Sequence, residues 1–107
     1  MFEVKDVNGT NVVYLKGEVN AQTGLELKNS VIEMFKKTGT VVLSFKGVMY
    51  MNSSGLREII DLLKRSKKDS KNLRLCDMSA DIKEMFAFTG LDKVFKIYPD
   101  ESQALKG

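Results

Sequence analysis

Short apolar runs separated by turn residues and amphipathic stretches indicate a chain that alternates between strands and helices. Asn8-Gly9 lies between strand-like segments 2–7 and 10–17 and predicts a β-hairpin, because both positions of a type I′ turn need a positive φ angle. The second of these segments is apolar on both faces, which places it inside the sheet. Further strands are predicted at residues 41–45, 73–76 and 94–98.

Helical spacing of apolar residues predicts a helix in each remaining interval. The first covers residues 21–37, with Asn20 as its N-cap and Gly39 as a left-handed C-cap. Its predicted buried stripe is Leu25, Val31, Ile32 and Phe35. A second helix follows Asn52, a third follows Ser79 and stops near Gly90, and a terminal helix follows Asp100.

The resulting order is ββαβαβαβα. This order predicts an α/β fold with a mixed sheet of four to five strands, in which an N-terminal hairpin is followed by parallel strands, and four helices. A length of 107 residues predicts a single domain, residues 1–107.

Composition excludes several kinds of chemistry. The sequence has no histidine and one cysteine, Cys76, so it contains no Ser-His-Asp or Cys-His catalytic arrangement and no thiolate metal cluster. We therefore predict that the protein is not an enzyme and has no metal site. No apolar run reaches the roughly 18 residues of a membrane helix, and the N-terminus lacks a signal-peptide pattern, so we expect a cytoplasmic protein that does not bind membranes.

A basic run marks the region around the end of the second helix. Six of its residues are cations: Lys64, Arg65, Lys67, Lys68, Lys71 and Arg74. We interpret this run as a solvated helix end rather than a nucleic-acid site, because no aromatic residue is interleaved for base stacking.

The stretch Asn52-Ser53-Ser54-Gly55-Leu56 is the candidate functional site. It opens the second helix, where unpaired backbone N–H groups and the helix dipole favour a phosphate. Helix capping alone needs one of its three polar side chains. The carboxyl ends of neighbouring strands should bring it close to residues 17–20, and residues 77–79 are a third candidate loop. Residues 48–51 are either core filling or an exposed, adaptable binding surface.

These motifs resemble those of the STAS domain in anti-sigma factor antagonists. Residues 17–20 (Gly-Glu-Val-Asn) are similar to the family's Gly-Glu/Asp-aliphatic-Asp, and residues 48–56 resemble its Val-x-Tyr/Phe-Met-Asp-Ser-Ser/Ala/Thr-Gly-Leu. Residues 88–95 resemble its later Gly-Leu-x-x-aliphatic-Phe segment. The resemblance spans nearly the full chain.

The resemblance implies a phosphorylation switch. By this resemblance, an anti-sigma factor that is a serine kinase phosphorylates Ser53, the unphosphorylated domain binds that kinase and frees a sigma factor, and a phosphatase resets the switch. The partner-binding positions implied are Asn20, Met51, Asn52, Ser54, Gly55 and Arg57. ATP and Mg²⁺ would belong to the kinase, so no cofactor is expected in this chain. The oligomeric state stays open.

Two positions depart from the family pattern. Asn52 stands where the family usually has aspartate, and Asn20 where it often has an acid. The amides preserve hydrogen bonding but lose both negative charges. An alternative interpretation is therefore a STAS protein-interaction module that binds its partners without being phosphorylated.

Overall fold

A mixed sheet with helices on both faces makes up the fold in a computed structural model that describes residues 2–107. The strands are β1 (Phe2–Val7), β2 (Thr10–Val19), β3 (Thr40–Met51), β4 (Asn72–Cys76) and β5 (Lys96–Tyr98). The helices are α1 (Ala21–Met34), α2 (Ser53–Lys68), α3 (Ala80–Phe88) and α4 (Glu101–Lys106), with a 3₁₀ turn at Leu91–Lys93. The predicted order ββαβαβαβα is confirmed.

The strands lie in the sheet in chain order. β1 and β2 are antiparallel, and the pairs β2–β3, β3–β4 and β4–β5 are parallel. Asn8 and Gly9 have φ angles of 53° and 88°, so the predicted hairpin turn is confirmed. Because β2 and β3 are parallel neighbours, their carboxyl ends lie side by side.

Residues of alternating parity on the strands build a core on each face of the sheet. Val13, Leu43 and Leu75 lie in the larger core beneath α1, α2 and α3. On the other face, Val12, Val42 and Cys76 lie in a smaller core that the Ala104 side chain of α4 closes. Val19, Met51 and Leu56, which lie next to the candidate site, belong to the larger core.

The structure corrects the predicted bounds of α1. The helix ends at Met34 with Phe35 as its C-cap, not at residue 37. Gly39 lies outside the helix and has no positive φ angle, so its predicted C-cap role is wrong. Val31 and Phe35 are buried as predicted and Ile32 is half-buried, but Leu25 is 44% exposed and Leu27 is buried instead.

The structure also corrects three strands. β2 continues to Val19 rather than ending at residue 17. β3 continues to Met51 rather than ending at residue 45, and residues 48–51 are therefore strand and not loop. β5 begins at Lys96 rather than at residue 94, because Val94 and Phe95 donate backbone hydrogen bonds to Leu91 and close a turn.

Candidate functional site

The N-terminus of α2 is capped by Asn52. Its side-chain oxygen accepts a hydrogen bond of 2.8 Å from the Gly55 N–H, and its carbonyl accepts the first helical bond, from Leu56. Ser53 and Ser54 are exposed on the first turn. Within residues 2–107, neither of their backbone N–H groups donates a hydrogen bond, so both are free for an external acceptor.

The N-terminus of α1 has its own cap. Asn20 accepts a bond of 3.0 Å from the Thr23 N–H, and the Thr23 hydroxyl accepts one of 2.8 Å from the Asn20 N–H, which completes a capping box. The Asn20 amide also donates to Glu18 at 3.2 Å. Asn20 is therefore held in place by local bonds and only half-exposed.

The two helix starts touch, as expected from the parallel pairing of β2 and β3. The Asn52 N–H donates a bond of 3.1 Å to the Val19 carbonyl, and Val19 pairs with Met51 in the sheet. A Cβ atom added to Gly55 would lie 2.3 Å from the Val19 oxygen. Glycine at position 55 thus permits the close approach of α2 to the end of β2.

The sequence-predicted site residues fall into three groups by exposure. Met51 and Gly55 are buried at the start of α2, and Asn20 and Asn52 are half-exposed helix caps. Ser53, Ser54 and Arg57 are exposed. Arg57 lies four residues after Ser53 and hence on the same helical face. The accessible part of the site is therefore a hydroxyl pair beside a guanidinium.

The electrostatics of this edge suit an added anion. The first turn of α2 contains no acidic residue, and the positive end of the helix dipole points to Ser53. Arg57 adds a cation that can pair with a phosphate. Glu18, next to last in β2, is the opposing charge, and its carboxylate accepts a hydrogen bond from the Asn20 amide.

Exposed apolar residues near this edge are features that the sequence left undecided. Met49 is 88% exposed and Tyr50 58%, whereas Val48 and Met51 are buried. The pairing of β3 with β2 shifts by one residue at Met49, which is a β-bulge, and the bulge turns Met49 and Tyr50 outward. Residues 48–51 thus contribute to both the core and the surface. The signal in the sequence was a run of four consecutive apolar residues, whereas a regular strand with one buried face alternates apolar and polar residues.

Residues of the third loop, Asp77 to Ser79, also lie at this edge. Ser79 caps α3 by accepting a bond of 3.3 Å from the Ile82 N–H, and it lines a cavity together with Met51. Asp77 has a φ angle of 59°, and its carboxylate accepts a bond of 3.3 Å from the buried Ser44 hydroxyl. Asp77 therefore faces the sheet, while Ser79 faces the site edge.

Cys76 is placed as an inert thiol. Its side chain is fully buried, and burial, with a smaller effect of the hydrogen bond to Asp77, raises the pKa of Cys76 to about 12. Burial and a 2.7 Å hydrogen bond to Glu101 likewise raise the pKa of Tyr14 to about 12. Among residues 2–107, no cluster of His, Cys, Asp and Glu has the arrangement of a metal site.

The basic run does not form one surface. Lys64, Lys67 and Lys68 are exposed toward the end of α2, far along the helix from Ser53. Arg74 lies in β4 and donates a 2.9 Å bond to the Ala104 carbonyl on the α4 face. In the described part of the chain, no helix is long and apolar enough to cross a membrane.

Comparisons with known proteins agree with the fold and the motifs. The family model for the STAS domain matches residues 1–104. An anti-sigma F factor antagonist of Paenibacillus polymyxa is 28% identical over 105 residues, which cover 96% of this chain and 90% of that protein. This name describes a regulatory binding protein and not a catalyst, which agrees with the prediction that this chain is not an enzyme.

Two solved structures share the architecture. The crystal structure of TM1081 from Thermotoga maritima has a TM-score of 0.88 at 22% identity and covers 98% of this chain and 92% of that one. The Bacillus protein SpoIIAA in its phosphorylated form has a TM-score of 0.76 at 19% identity, with 99% and 97% coverage. The predicted resemblance is confirmed by these matches: the chain belongs to the STAS domain family.

Proposed function

We propose that this protein is an anti-sigma factor antagonist whose binding to an anti-sigma serine kinase is controlled by phosphorylation of Ser53. The unphosphorylated domain would hold the kinase and free a sigma factor in the cytoplasm. A separate phosphatase would restore the free hydroxyl. ATP and Mg²⁺ would belong to the kinase, and this chain would act as substrate and binding partner.

The observation that carries the proposal is the exposed Ser53 at the start of α2. Its hydroxyl is accessible, and two backbone N–H groups beside it have no partner within residues 2–107. A phosphate there would gain these donors, the helix dipole and Arg57. The names of the relatives support the antagonist role, and the phosphorylated SpoIIAA structure supports the compatibility of this fold with a phosphate.

Release of the partner follows from electrostatics. Phosphorylation adds about −1.5 to −2 charges at the centre of the accessible edge. A kinase surface that fits a neutral hydroxyl would have to strip water from this anion, at a cost of several kcal/mol when pairing is imperfect. Each 1.4 kcal/mol lowers affinity about tenfold. A cost of this size would dissociate a complex of moderate affinity.

The test is phosphorylation by each anti-sigma serine kinase encoded in the host genome. We expect incorporation of one phosphate that peptide mass spectrometry maps to Ser53, and none in Ser53→Ala. Ser54→Ala is the matched control, because Ser54 is the adjacent exposed hydroxyl on the same turn, and it should still be labelled. Label that persists in Ser53→Ala would refute the assigned acceptor.

The binding arm uses Ser53→Asp with the same kinases. This variant should bind at least about tenfold more weakly than wild type. Equal affinity would refute the electrostatic release.

A constitutive STAS interaction module is a second candidate, which the amides Asn20 and Asn52 favour. Both cap their helices without negative charge, so neither offers a carboxylate to orient a kinase residue or an ATP-bound metal ion. This alternative predicts an unmodified intact mass for protein purified from its host and partner binding that ATP does not change. Phosphorylation that appears only in Asn52→Asp would identify the missing carboxylate as the reason.

A further inference from the structure

A line of exposed apolar side chains connects the end of β3 with α3. Phe88 is 91% exposed and Met49 88%, and Met85 is half-buried between them. Met49, Tyr50 and Met85 line a cavity of about 240 Å³, and Met85 and Phe88 line a second of about 380 Å³. The cavities share Met85 and Asp81 and are therefore adjacent; together they are called the β3–α3 groove.

The fold itself does not require these side chains at the surface. The β-bulge directs both Met49 and Tyr50 outward, whereas regular alternation would turn one of these two adjacent side chains toward the core. On α3, residues 81, 84, 85 and 88 follow one helical face. Large apolar groups grouped in a groove at the surface are typical of a docking site for another protein, and flexible methionines adapt to the partner.

The rim of the groove is acidic. Asp81 and Glu84 are the charged residues of the described chain that line its cavities, and neither has a salt-bridge partner there. Asp81 lies in the first turn of α3, where it also complements the helix dipole, but Glu84 lies beyond that turn. The net charge of the chain is +3, so this acidic rim is a local feature.

The groove continues into the proposed switch site. Met51 and Ser79 line its first cavity, and Met51 directly precedes the α2 cap Asn52. We propose that the β3–α3 groove receives a segment of the docked partner in which apolar anchors are flanked by lysine or arginine. The partner's identity rests on the proposed function, whereas the chemistry of the segment follows from the groove.

Two helical probe peptides of equal length test this inference with the full chain. Both carry the same apolar stripe, and the polar positions are lysine in one and glutamate in the other. In NMR titrations at low ionic strength, the lysine peptide should shift the methyl signals of Met49 and Met85 and bind at least about tenfold more tightly than the glutamate peptide. Equal affinities, or shifts confined to other surfaces, would overturn the inference.

Variants separate the apolar from the charged contribution. Phe88→Ser should weaken binding of the lysine peptide at least about tenfold. Because the Phe88 side chain is exposed, the fold should tolerate the change. Asp81→Asn combined with Glu84→Gln should remove most of the preference for lysine. Val94→Ser is the control, because Val94 is an exposed apolar residue outside the groove and should leave binding unchanged.

Two outcomes identify a different occupant or a failed switch. Concentration-dependent dimerisation that Phe88→Ser abolishes would assign the groove to a second copy of this chain and overturn the inference. If the kinase of the proposed function binds Phe88→Ser as tightly as wild type, the groove proposal fails while the Ser53 switch stands. If the lysine peptide binds but Ser53 is never labelled, the switch fails while the groove stands.

Discussion

Replacing Gly55 with alanine should push the two halves of the site apart. The added Cβ would lie 2.3 Å from the Val19 oxygen and 2.6 Å from its carbonyl carbon, against an ordinary contact distance of at least 3.4 Å. Both atoms belong to the backbone of β2, so no side chain can turn away. The start of α2 must therefore move by about 1 Å, an overpacking change that also strains the 3.1 Å bond from Asn52 to Val19.

The expected cost follows from three contributions. Overpacking of a tight contact costs about 1–3 kcal/mol. Loss of one backbone hydrogen bond costs about 1 kcal/mol. Replacing glycine with alanine stabilises a helix by up to about 1 kcal/mol, which offsets part of this cost. The sum is a loss of about 1–4 kcal/mol in unfolding free energy, and a loss of about 2 kcal/mol in a domain of this size lowers the melting temperature by roughly 10 °C.

Urea denaturation followed by circular dichroism measures this loss, and two glycines provide graded controls. At Gly24 the added Cβ would lie 3.0 Å from the Glu58 Cβ and 3.2 Å from the Gly55 carbonyl oxygen, which is less severe than the 2.3 Å at Gly55, so Gly24→Ala should cost less. Gly39→Ala meets nothing within 4 Å and should be neutral or slightly stabilising. If Gly55→Ala is as stable as wild type, the close approach of α2 to β2 does not require glycine.

Three smaller changes test the caps and the second core. Asn52→Ala should lose about 1 kcal/mol in urea denaturation, whereas Asn52→Asp should keep wild-type stability or gain a few tenths. Tyr14→Phe should lose about 1 kcal/mol, because it removes the 2.7 Å bond to Glu101. The raised pKa of Cys76 keeps its thiol protonated in the folded protein up to about pH 12, whereas the thiol of the unfolded chain ionises near pH 9. The contribution of Cys76 to the free energy of unfolding is therefore complete below pH 9. It falls by up to about 1.4 kcal/mol per pH unit as the pH rises toward 12. Urea curves between pH 8 and 11 should therefore show a shallower decline for Cys76→Ala, and parallel declines would contradict the assigned burial effect.

The sequence was sufficient for the fold because its local signals agreed with one another. Asn8-Gly9, the cap at Asn20 and the cap at Ser79 each marked a boundary that the structure contains. Apolar periodicity then placed the elements between them, and parallel pairing of β2 and β3 brought the predicted loops together. The edge that carries Ser53 was therefore predictable from local patterns and topology.

The exposed groove was not predictable because tertiary contacts decide it. Gly47 lies outside the predicted strand 41–45, but a Cβ atom at this position would lie 2.7 Å from the Leu15 carbonyl oxygen, so this glycine allows β3 to continue beside β2. The bulge at Met49 depends on that pairing and decides which apolar side chains turn outward. Ile82, Met85 and Phe86 follow one helical face and Phe88 lies off it, so spacing separates Phe86 in the core from Phe88 in solvent. Spacing within one helix cannot show that Phe88 and Met49 line the same groove.

The two proposed surfaces require different charges on the partner, and the dependence of affinity on salt concentration can distinguish their contributions. A segment with lysine or arginine is attracted to the acidic rim of Asp81 and Glu84, whereas the surface over Ser53 must reject a phosphate, and so has to be apolar or acidic. Raising ionic strength screens both effects between exposed charges, with a Debye length of about 8 Å at 0.15 M. The affinity of the partner for the unmodified protein should therefore fall as the salt concentration rises. The ratio of its affinity for the unmodified protein to its affinity for Ser53→Asp should become smaller. If the affinity falls with salt but the ratio of the two affinities stays constant, desolvation at Ser53 rather than charge repulsion drives release of the partner.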